Sequence, residues 1–228
     1  MPMPAELDDV VEVSTYDRRD DVRVIVNVPG RYMLANRRNL KGDRCEFACR
    51  IVNVSLEAMA LSAPVLGAVG ERVIIYTELF GRLHGLIIRL MANGFVISIA
   101  ASAQTREKLA AKLDWLAKQK DAPDLPDSRR HARIVPKNPM ATILLGDGSL
   151  TSCLVIDFSD SGAAVSADLY PEMGTPLAVG KMVGRVVRRF AEGFAIEFAE
   201  KASLTDIERL LASTELRALK PPRVSARQ

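Results

Sequence analysis

Two arginines and a group made of a carboxylate, a serine and a glycine occur in the second half of the chain. Arg129 and Arg133 are four positions apart, and a later segment carries Asp157, Ser159 and Gly162. A guanidinium group binds phosphate oxygens or the edge of a guanine through two hydrogen bonds, and its flat face stacks on a purine ring. This combination of residues is suited to holding a phosphorylated base rather than to breaking a bond.

The first half carries a similar set in the same order. Arg19 and Arg23 precede Asn53 and Ser55, and Ala58 stands where the second half has a glycine. Taken singly, an arginine-rich turn is typical of a solvated surface, and an Asp-x-Ser segment is typical of a turn bonded to its own backbone. Because the two sets occur together twice, we favour a ligand site in at least one half.

The repetition extends beyond these residues. Glycines recur 104 or 99 positions apart at Gly70 and Gly174, Gly85 and Gly184, and Gly94 and Gly193. A period near 100 residues is the length of a small domain rather than of a solenoid unit. The sequence therefore predicts two domains of similar fold.

Short strands separated by glycine turns dominate both halves. Val22, Val24, Val26 and Val28 alternate with other residues, as in a half-buried strand, and Pro29-Gly30 is expected to end or bend it. Further strands are predicted at 31–34, 45–54, 72–79, 81–91 and 95–100, and then at 141–145, 149–157, 176–179, 181–190 and 193–198. About six strands in each half favour a small barrel.

A helix is predicted to close each half. The first runs from Ser102 to Lys120 with leucines at helical spacing, and the second begins at Ser203, which is followed by Asp206 at the spacing of a capping box. The predicted organisation is a flexible tail at 1–16, a first domain with its helix at 17–120, a linker at 121–127, a second domain with its helix at 128–217 and a flexible tail at 218–228.

Composition excludes several classes of protein. The net charge of +3 is too small for a general nucleic-acid binder, and few aromatic residues are available to stack on RNA bases. No apolar run is long enough for a membrane helix and no signal peptide is evident, so we expect a cytosolic protein. Cys45, Cys49 and Cys153 show no disulfide spacing and are expected to be buried thiols rather than metal ligands. No motif of nucleophilic, phosphate-loop or metalloprotease chemistry occurs, so we expect no enzyme.

Both halves resemble PilZ domains, the bacterial receptors for cyclic di-GMP. The resemblance rests on the Arg-x-x-x-Arg element before the first strand, the Asp/Asn-x-Ser-x-x-Gly element at a strand end, the late Gly-x-Val-Val-Arg strand at 184–188 and the closing helix. It implies a mainly β fold of two small six-stranded antiparallel barrels, each followed by a C-terminal α-helix. It also implies a nucleotide bound on the outer surface of the barrel, without catalysis and without a metal.

The resemblance assigns roles to individual residues. In the second domain Arg129 and Arg133 would clamp the ligand with help from Arg130. Asp157 would orient an arginine or accept a guanine N–H, and Ser159 would donate to a phosphate or cap the turn. Gly162 would let the backbone approach the ligand closely.

The first domain carries a possible second site. Its residues would be Arg18, Arg19, Arg23, Asn53 and Ser55. Ala58 replaces the glycine of the family, and it would be strained if that position needs a positive φ. The first site would therefore be weak, altered or inactive.

The resemblance implies a receptor that relays the level of this second messenger to motility, exopolysaccharide or biofilm machinery through an unknown downstream protein. The alternative is an adaptor that binds no nucleotide and acts through protein–protein contact. Binding would shift the two barrels about the linker at 121–127.

Overall fold

The computed structural model describes residues 23–39, 42–118 and 133–212. These residues form two sheets, and each sheet closes into a six-stranded antiparallel barrel. The predicted fold class is confirmed.

The first barrel contains six strands and is followed by one helix. They are β1 (Val24–Leu34), β2 (Phe47–Val54), β3 (Ala58–Ser62), β4 (Arg72–Thr77), β5 (Gly81–Met91), β6 (Gly94–Ser98) and α1 (Ala103–Lys118). The order around the barrel is β1-β2-β3-β6-β5-β4.

The second barrel also contains six strands and is followed by one helix. They are β7 (Met140–Leu145), β8 (Leu150–Phe158), β9 (Gly162–Ser166), β10 (Pro176–Val179), β11 (Met182–Phe190), β12 (Gly193–Phe198) and α2 (Leu204–Leu211). Their order around the barrel, β7-β8-β9-β12-β11-β10, is the same as in the first barrel. The repeat in the sequence therefore corresponds to a repeat of the fold, in which each strand of the first barrel has a counterpart in the second.

The prediction that Pro29-Gly30 separates two strands is wrong, because β1 continues through both residues. Pro29 lies opposite Arg50 of β2, while pairing with β4 on the other side of β1 begins only at Arg31. Proline is tolerated in a strand where one side lacks a ladder partner. The bend that we expected here is instead a register shift between Ile25 and Val28.

Sequence patterns missed the third strand of each barrel. β3 has the sequence AMALS and β9 has GAAVS. Alanine and glycine have low strand propensity, so neither segment shows the alternation of bulky residues by which the other strands were predicted. Each is held in place by pairing on both sides, β3 with β2 and β6, and β9 with β8 and β12.

Each barrel encloses its own hydrophobic core, and each helix covers part of it. Leu109 and Leu113 of α1 are buried in the first core, and Ile207 and Leu211 of α2 are buried in the second. The capping residue of α2 is confirmed, because the hydroxyl of Ser203 accepts a hydrogen bond from the Asp206 amide. The indole of Trp115, on helix α1, is 50% exposed.

The two barrels also contact each other through β2. The polar contacts in the described part of the chain include two from β2, where Ala48 N donates to Ser166 Oγ at 2.9 Å and Arg50 Nη2 donates to the Ile156 carbonyl at 3.0 Å. Arg37, which follows β1, places its Nη1 3.2 Å from Asp168 Oδ2. Arg50 and Ser166 are buried, whereas Arg37 is half exposed. The inter-barrel contact is therefore built from specific hydrogen bonds and not from apolar packing alone.

Candidate functional site

A pocket of about 290 Å³ opens on the outer face of the second barrel. Its lining, which defines the second-barrel pocket, consists of Arg133, Asp157, Ser159, Ser161, Gly162, Ala163, Ala164, Val187, Arg188, Ala195, Ile196 and Glu197. The four described residues that we predicted for this site from sequence, Arg133, Asp157, Ser159 and Gly162, all lie in this lining. Pockets for small molecules typically measure about 300–1,000 Å³, so this one lies near the lower end.

A pair of backbone hydrogen bonds between two segments brings Arg133 and Asp157 together. Ile134 and Phe158 exchange both backbone hydrogen bonds, at 2.8 and 2.9 Å, and so place their neighbours side by side. Arg133 Nη1 then lies 3.4 Å from Asp157 Oδ2. A charge-assisted hydrogen bond is usually shorter, about 2.7–2.9 Å, so this contact is loose. Arg133 remains 43% exposed and can turn toward a ligand.

The turn from β8 to β9 presents two hydroxyl groups beside the pair. Ser159 N donates to the Gly162 carbonyl at 2.8 Å, and the hydroxyls of Ser159 and Ser161 lie 3.2 Å apart. The Ser161 carbonyl accepts from Phe198 N of β12 at 2.9 Å. The turn is therefore fixed by its own bonds and by a neighbouring strand. Both roles that we expected for Ser159 are open to this hydroxyl, because it caps the turn and also lines the pocket.

A fourth polar residue of the pocket, Arg188, was not predicted as a site residue. It lies on β11 after a register shift between Val186 and Arg188, and its guanidinium stands 5.5 Å from the Phe190 ring centroid. Such shifts re-aim side chains, and Asp157 follows one at the equivalent point of β8. The sequence did contain a signal, since Arg89 and Arg188 recur 99 positions apart.

The floor of the pocket is formed by small residues between charged walls. Along one row of the sheet, Asp157 pairs with Ala164, Ala164 pairs with Ala195, and Ala195 pairs with Arg188. Residues directly opposite each other on neighbouring strands project from the same face. The row therefore places a carboxylate and a guanidinium on either side of two methyl groups, which leaves room for a flat group above them.

Gly162 is needed for a different reason from the one predicted. A Cβ at this position would lie 2.3 Å from the Ile196 carbonyl oxygen, so the glycine permits close approach of β9 to β12. Its φ is not in the left-handed region, and no described residue other than glycine has a positive φ. The expectation that Ala58 is strained by a positive φ is therefore wrong.

The first barrel carries a much smaller pocket at the equivalent place. The first-barrel pocket has a volume of about 80 Å³ and is lined by Arg23, Asn53, Ser55, Ala58, Met59, Ala60, Arg89 and Val96. The predicted residues Arg23, Asn53 and Ser55 are thus brought together here too. The hydroxyl of Ser55 is buried and accepts from the amides of Glu57 and Ala58 at 3.3 and 3.2 Å.

Four of the predicted site residues, Arg18, Arg19, Arg129 and Arg130, lie outside the described residues. The described part of the chain also contains no group of three or more His, Cys, Asp or Glu side chains that could hold a metal ion. Neither described helix is long and apolar enough to cross a bilayer.

All three cysteines are free and buried, as expected. Burial raises the pKa of Cys49 and that of Cys153 to about 12. These two thiols therefore stay protonated at neutral pH, which does not suit them to nucleophilic or metal chemistry.

Comparison with known proteins gave one family and several structures. The model of the PilZ domain family matches residues 127–215, a range that contains the whole second barrel and α2. No curated protein matches the chain.

Among solved structures, the chain is similar to the PlzA protein of Borreliella burgdorferi in complex with c-di-GMP, at 13% identity. The match covers 83% of this chain and 91% of that chain, with a TM-score of 0.29. The inhibitor of motility MotI (DgrA) of Bacillus subtilis matches at 12% identity over 82% of this chain and 94% of that chain, with a TM-score of 0.26. YcgR from Escherichia coli, in complex with c-di-GMP, matches at 11% identity over 81% and 80%, with a TM-score of 0.24.

Proposed function

We propose that the chain is a receptor of the PilZ family that binds cyclic di-GMP on its second barrel, which lies within the match of the PilZ domain model to residues 127–215. The observation that carries this proposal is the convergence of Arg133, Asp157, Ser159 and Arg188 on one open pocket. These residues come from three separate segments of the chain: the segment before β7, the end of β8 with the turn after it, and β11.

The chemistry of the pocket matches the two parts of the ligand. Arg133 and Arg188 present guanidinium groups that can bind phosphate oxygens or the edge of a guanine. The Asp157 carboxylate can accept the N–H groups of a guanine or hold Arg133 in place. The floor of Ala164 and Ala195 gives a flat apolar surface for a purine ring. Because the net charge of the chain is only +3, recognition of an anion rests on these local arginines.

The two domains would divide the work unequally. We assign PilZ-like domains to residues 17–120 and 128–217, with the ligand in the second. The first-barrel pocket, at about 80 Å³, is far below the usual size of a small-molecule site. The first domain would then serve the docking of the two barrels and of a downstream protein.

Binding would act as a signal by favouring one arrangement of the barrels and their exposed surfaces over another. A ligand shifts such an equilibrium only through different affinities for the two states. As implied by the family, the outputs would be motility, exopolysaccharide or biofilm machinery in the cytosol.

Isothermal titration of the full chain with cyclic di-GMP tests the proposal. We expect wild type to bind and Arg133→Ala to lose affinity by about tenfold or more, because one lost charge-assisted contact costs about 1.5–3 kcal/mol. Arg129→Ala, at a residue outside the described range, is expected to behave in the same way. The matched variant Arg23→Ala, which alters the first-barrel pocket, should bind within about twofold of wild type, as should Arg19→Ala.

Failure of wild type to bind would overturn the receptor and favour the adaptor that acts by protein contact. Equal losses in Arg23→Ala and Arg133→Ala would place a ligand in both barrels. Titration with GMP controls for weak binding of any guanine nucleotide.

A further inference from the structure

An arginine of the first barrel reaches the edge of the second-barrel pocket. Arg50 lies in β2 and is only 5% exposed. Its Nη2 donates to the carbonyl of Ile156 at 3.0 Å across the inter-barrel contact. Ile156 directly precedes Asp157 in β8, so the bond holds the backbone that carries this carboxylate.

An electrostatic interaction also links Arg50 to Asp157. Burial lowers the pKa of the Arg50 guanidinium, and Cys49 and then Asp157 work against that decrease. A buried guanidinium is costly unless hydrogen bonds and an opposite charge compensate it. Here the compensation comes from the Ile156 carbonyl and from Asp157, both on the second barrel.

Asp157 thus stands between two arginines of different origin. On the side of the pocket its Oδ2 lies 3.4 Å from Arg133 Nη1, and on the side of the first barrel its neighbour Ile156 accepts the hydrogen bond from Arg50. Ile156 lines both the cleft between the barrels and a cavity that shares Arg133 and Arg188 with the second-barrel pocket. The inter-barrel contact and the pocket are therefore continuous.

The arrangement is not reciprocal. The residue at the position of Arg50 in the second barrel, 104 places later, is Leu154, which is buried and cannot provide a charge. The first barrel thus contributes to the pocket of the second through Arg50, and the second cannot return such a contact from the equivalent position.

We propose that Arg50 is a positioning residue that completes the ligand site of the second barrel by fixing Ile156 and Asp157, so that ligand binding and the docking of the two barrels are coupled. The proposal rests on the function proposed above and adds its regulation. Coupling of this kind is reciprocal: a docked first barrel raises the affinity for the ligand, and bound ligand favours docking by the same factor.

Titration of Arg50 variants with cyclic di-GMP tests the coupling. Arg50→Gln keeps a donor for the Ile156 carbonyl and removes the charge, and we expect it to bind about tenfold more weakly than wild type. Arg50→Lys keeps the charge and is expected to recover most of the affinity. The control is Arg106→Ala, which removes an exposed ion pair to Glu57 inside the first domain and should leave affinity within about twofold. Wild-type affinity in a folded Arg50→Gln variant would overturn the proposal.

A second readout uses the wild-type chain alone and covers the case in which Arg50→Gln does not fold. In ¹⁵N spectra of the arginine side chains, saturating cyclic di-GMP should shift the Arg50 Nε signal and leave the signal of Arg106, which pairs with Glu57 inside the first domain, in place. An unshifted Arg50 signal in the bound protein would overturn the coupling while the receptor function stands.

Absence of binding by wild type would instead overturn the receptor function. The positioning role would still be decided without ligand, because Arg50→Gln must move the Asp157 carboxyl ¹³C signal and Arg106→Ala must not.

Discussion

The two barrels share their strand order and two register shifts at equivalent positions, yet they present very different pockets. The row that crosses the second-barrel pocket reads Asp157, Ala164, Ala195 and Arg188. The equivalent row in the first barrel pairs Asn53 with Ala60, Ala60 with Val96, and Val96 with Arg89. Two substitutions at equivalent positions, Asp to Asn and Ala to Val, therefore separate the rows.

The volumes of the two pockets differ in the direction that these two rows of residues predict. Valine in place of alanine adds two methyl groups to the floor, and the first-barrel pocket is about 80 Å³ where the second is about 290 Å³. The turn differs as well, because Ser55 is buried while Ser159 is partly exposed. A shared framework therefore does not preserve a pocket, because the lining residues differ at equivalent positions, among them Val96 against Ala195 and Ala58 against Gly162.

We expect the largest effect from replacing the arginine of each row, which tests whether Arg188 and Arg89 differ in function. Arg188→Ala should reduce the affinity for cyclic di-GMP by about tenfold or more, because it removes one charged wall of the open pocket. Arg89→Ala, the same change in the first barrel, should alter affinity by less than about twofold. Isothermal titration measures both, and a larger loss in Arg89→Ala would reverse the assignment of the site.

A smaller effect is expected from exchanging the floor residues. Ala195→Val should fill the second-barrel pocket and weaken binding about fivefold, with little effect on the thermal unfolding of the protein, because the residue faces the pocket and not the core. The reverse change, Val96→Ala, should leave the affinity of the second barrel unchanged. Titration of both variants with cyclic di-GMP measures these affinities. Wild-type affinity in Ala195→Val would show that the floor residue does not control binding.

The smallest effect concerns the helices that follow the barrels. Hydrogen bonds from Ser203 and then Arg209 lower the pKa of Asp206 in α2, so its contribution to stability is present above its ordinary value near 3.8 and is lost as pH falls through the lower folded value. Asp206→Asn should therefore melt below wild type at pH 7, and the two should converge in acid.

The first turn of α1 has no acidic residue, and Thr105 occupies the place of Asp206. Thr105→Ala should accordingly show a melting difference from wild type that does not change with pH. Calorimetry between pH 2 and pH 7 compares the two variants, and a pH-independent difference in Asp206→Asn would contradict the role given to its carboxylate.

Much of this architecture could be predicted from sequence because it is encoded locally. Strands with alternating bulky residues, such as β5 and β12, and the Ser203 cap are determined by neighbours a few positions away. β3 and β9 escaped prediction because tertiary pairing, not propensity, holds their small residues in strands.

The residues of the candidate site likewise differ in whether the sequence alone predicts them. Arg133, Asp157 and Ser159 form recognisable short motifs, whereas Arg188 joins them only through the register of β11 and β12. Arg50 contacts Ile156 across a separation of 106 residues, and no spacing rule indicates such a partner. The volume of a pocket depends on which side chains face each other across strands, and this too is not readable from one strand alone.

Closure of both sheets has a consequence for the chain as a whole. In the described part of the molecule every strand has a neighbour on each side around its barrel, so neither sheet ends in an open edge strand. Open edges are where β-proteins recruit further strands and begin to aggregate. Two similar domains in one polypeptide are especially exposed to mispairing between copies. A closed barrel offers no free strand edge on which such mispairing could start. The chain can therefore contain two domains of similar fold whose surfaces differ.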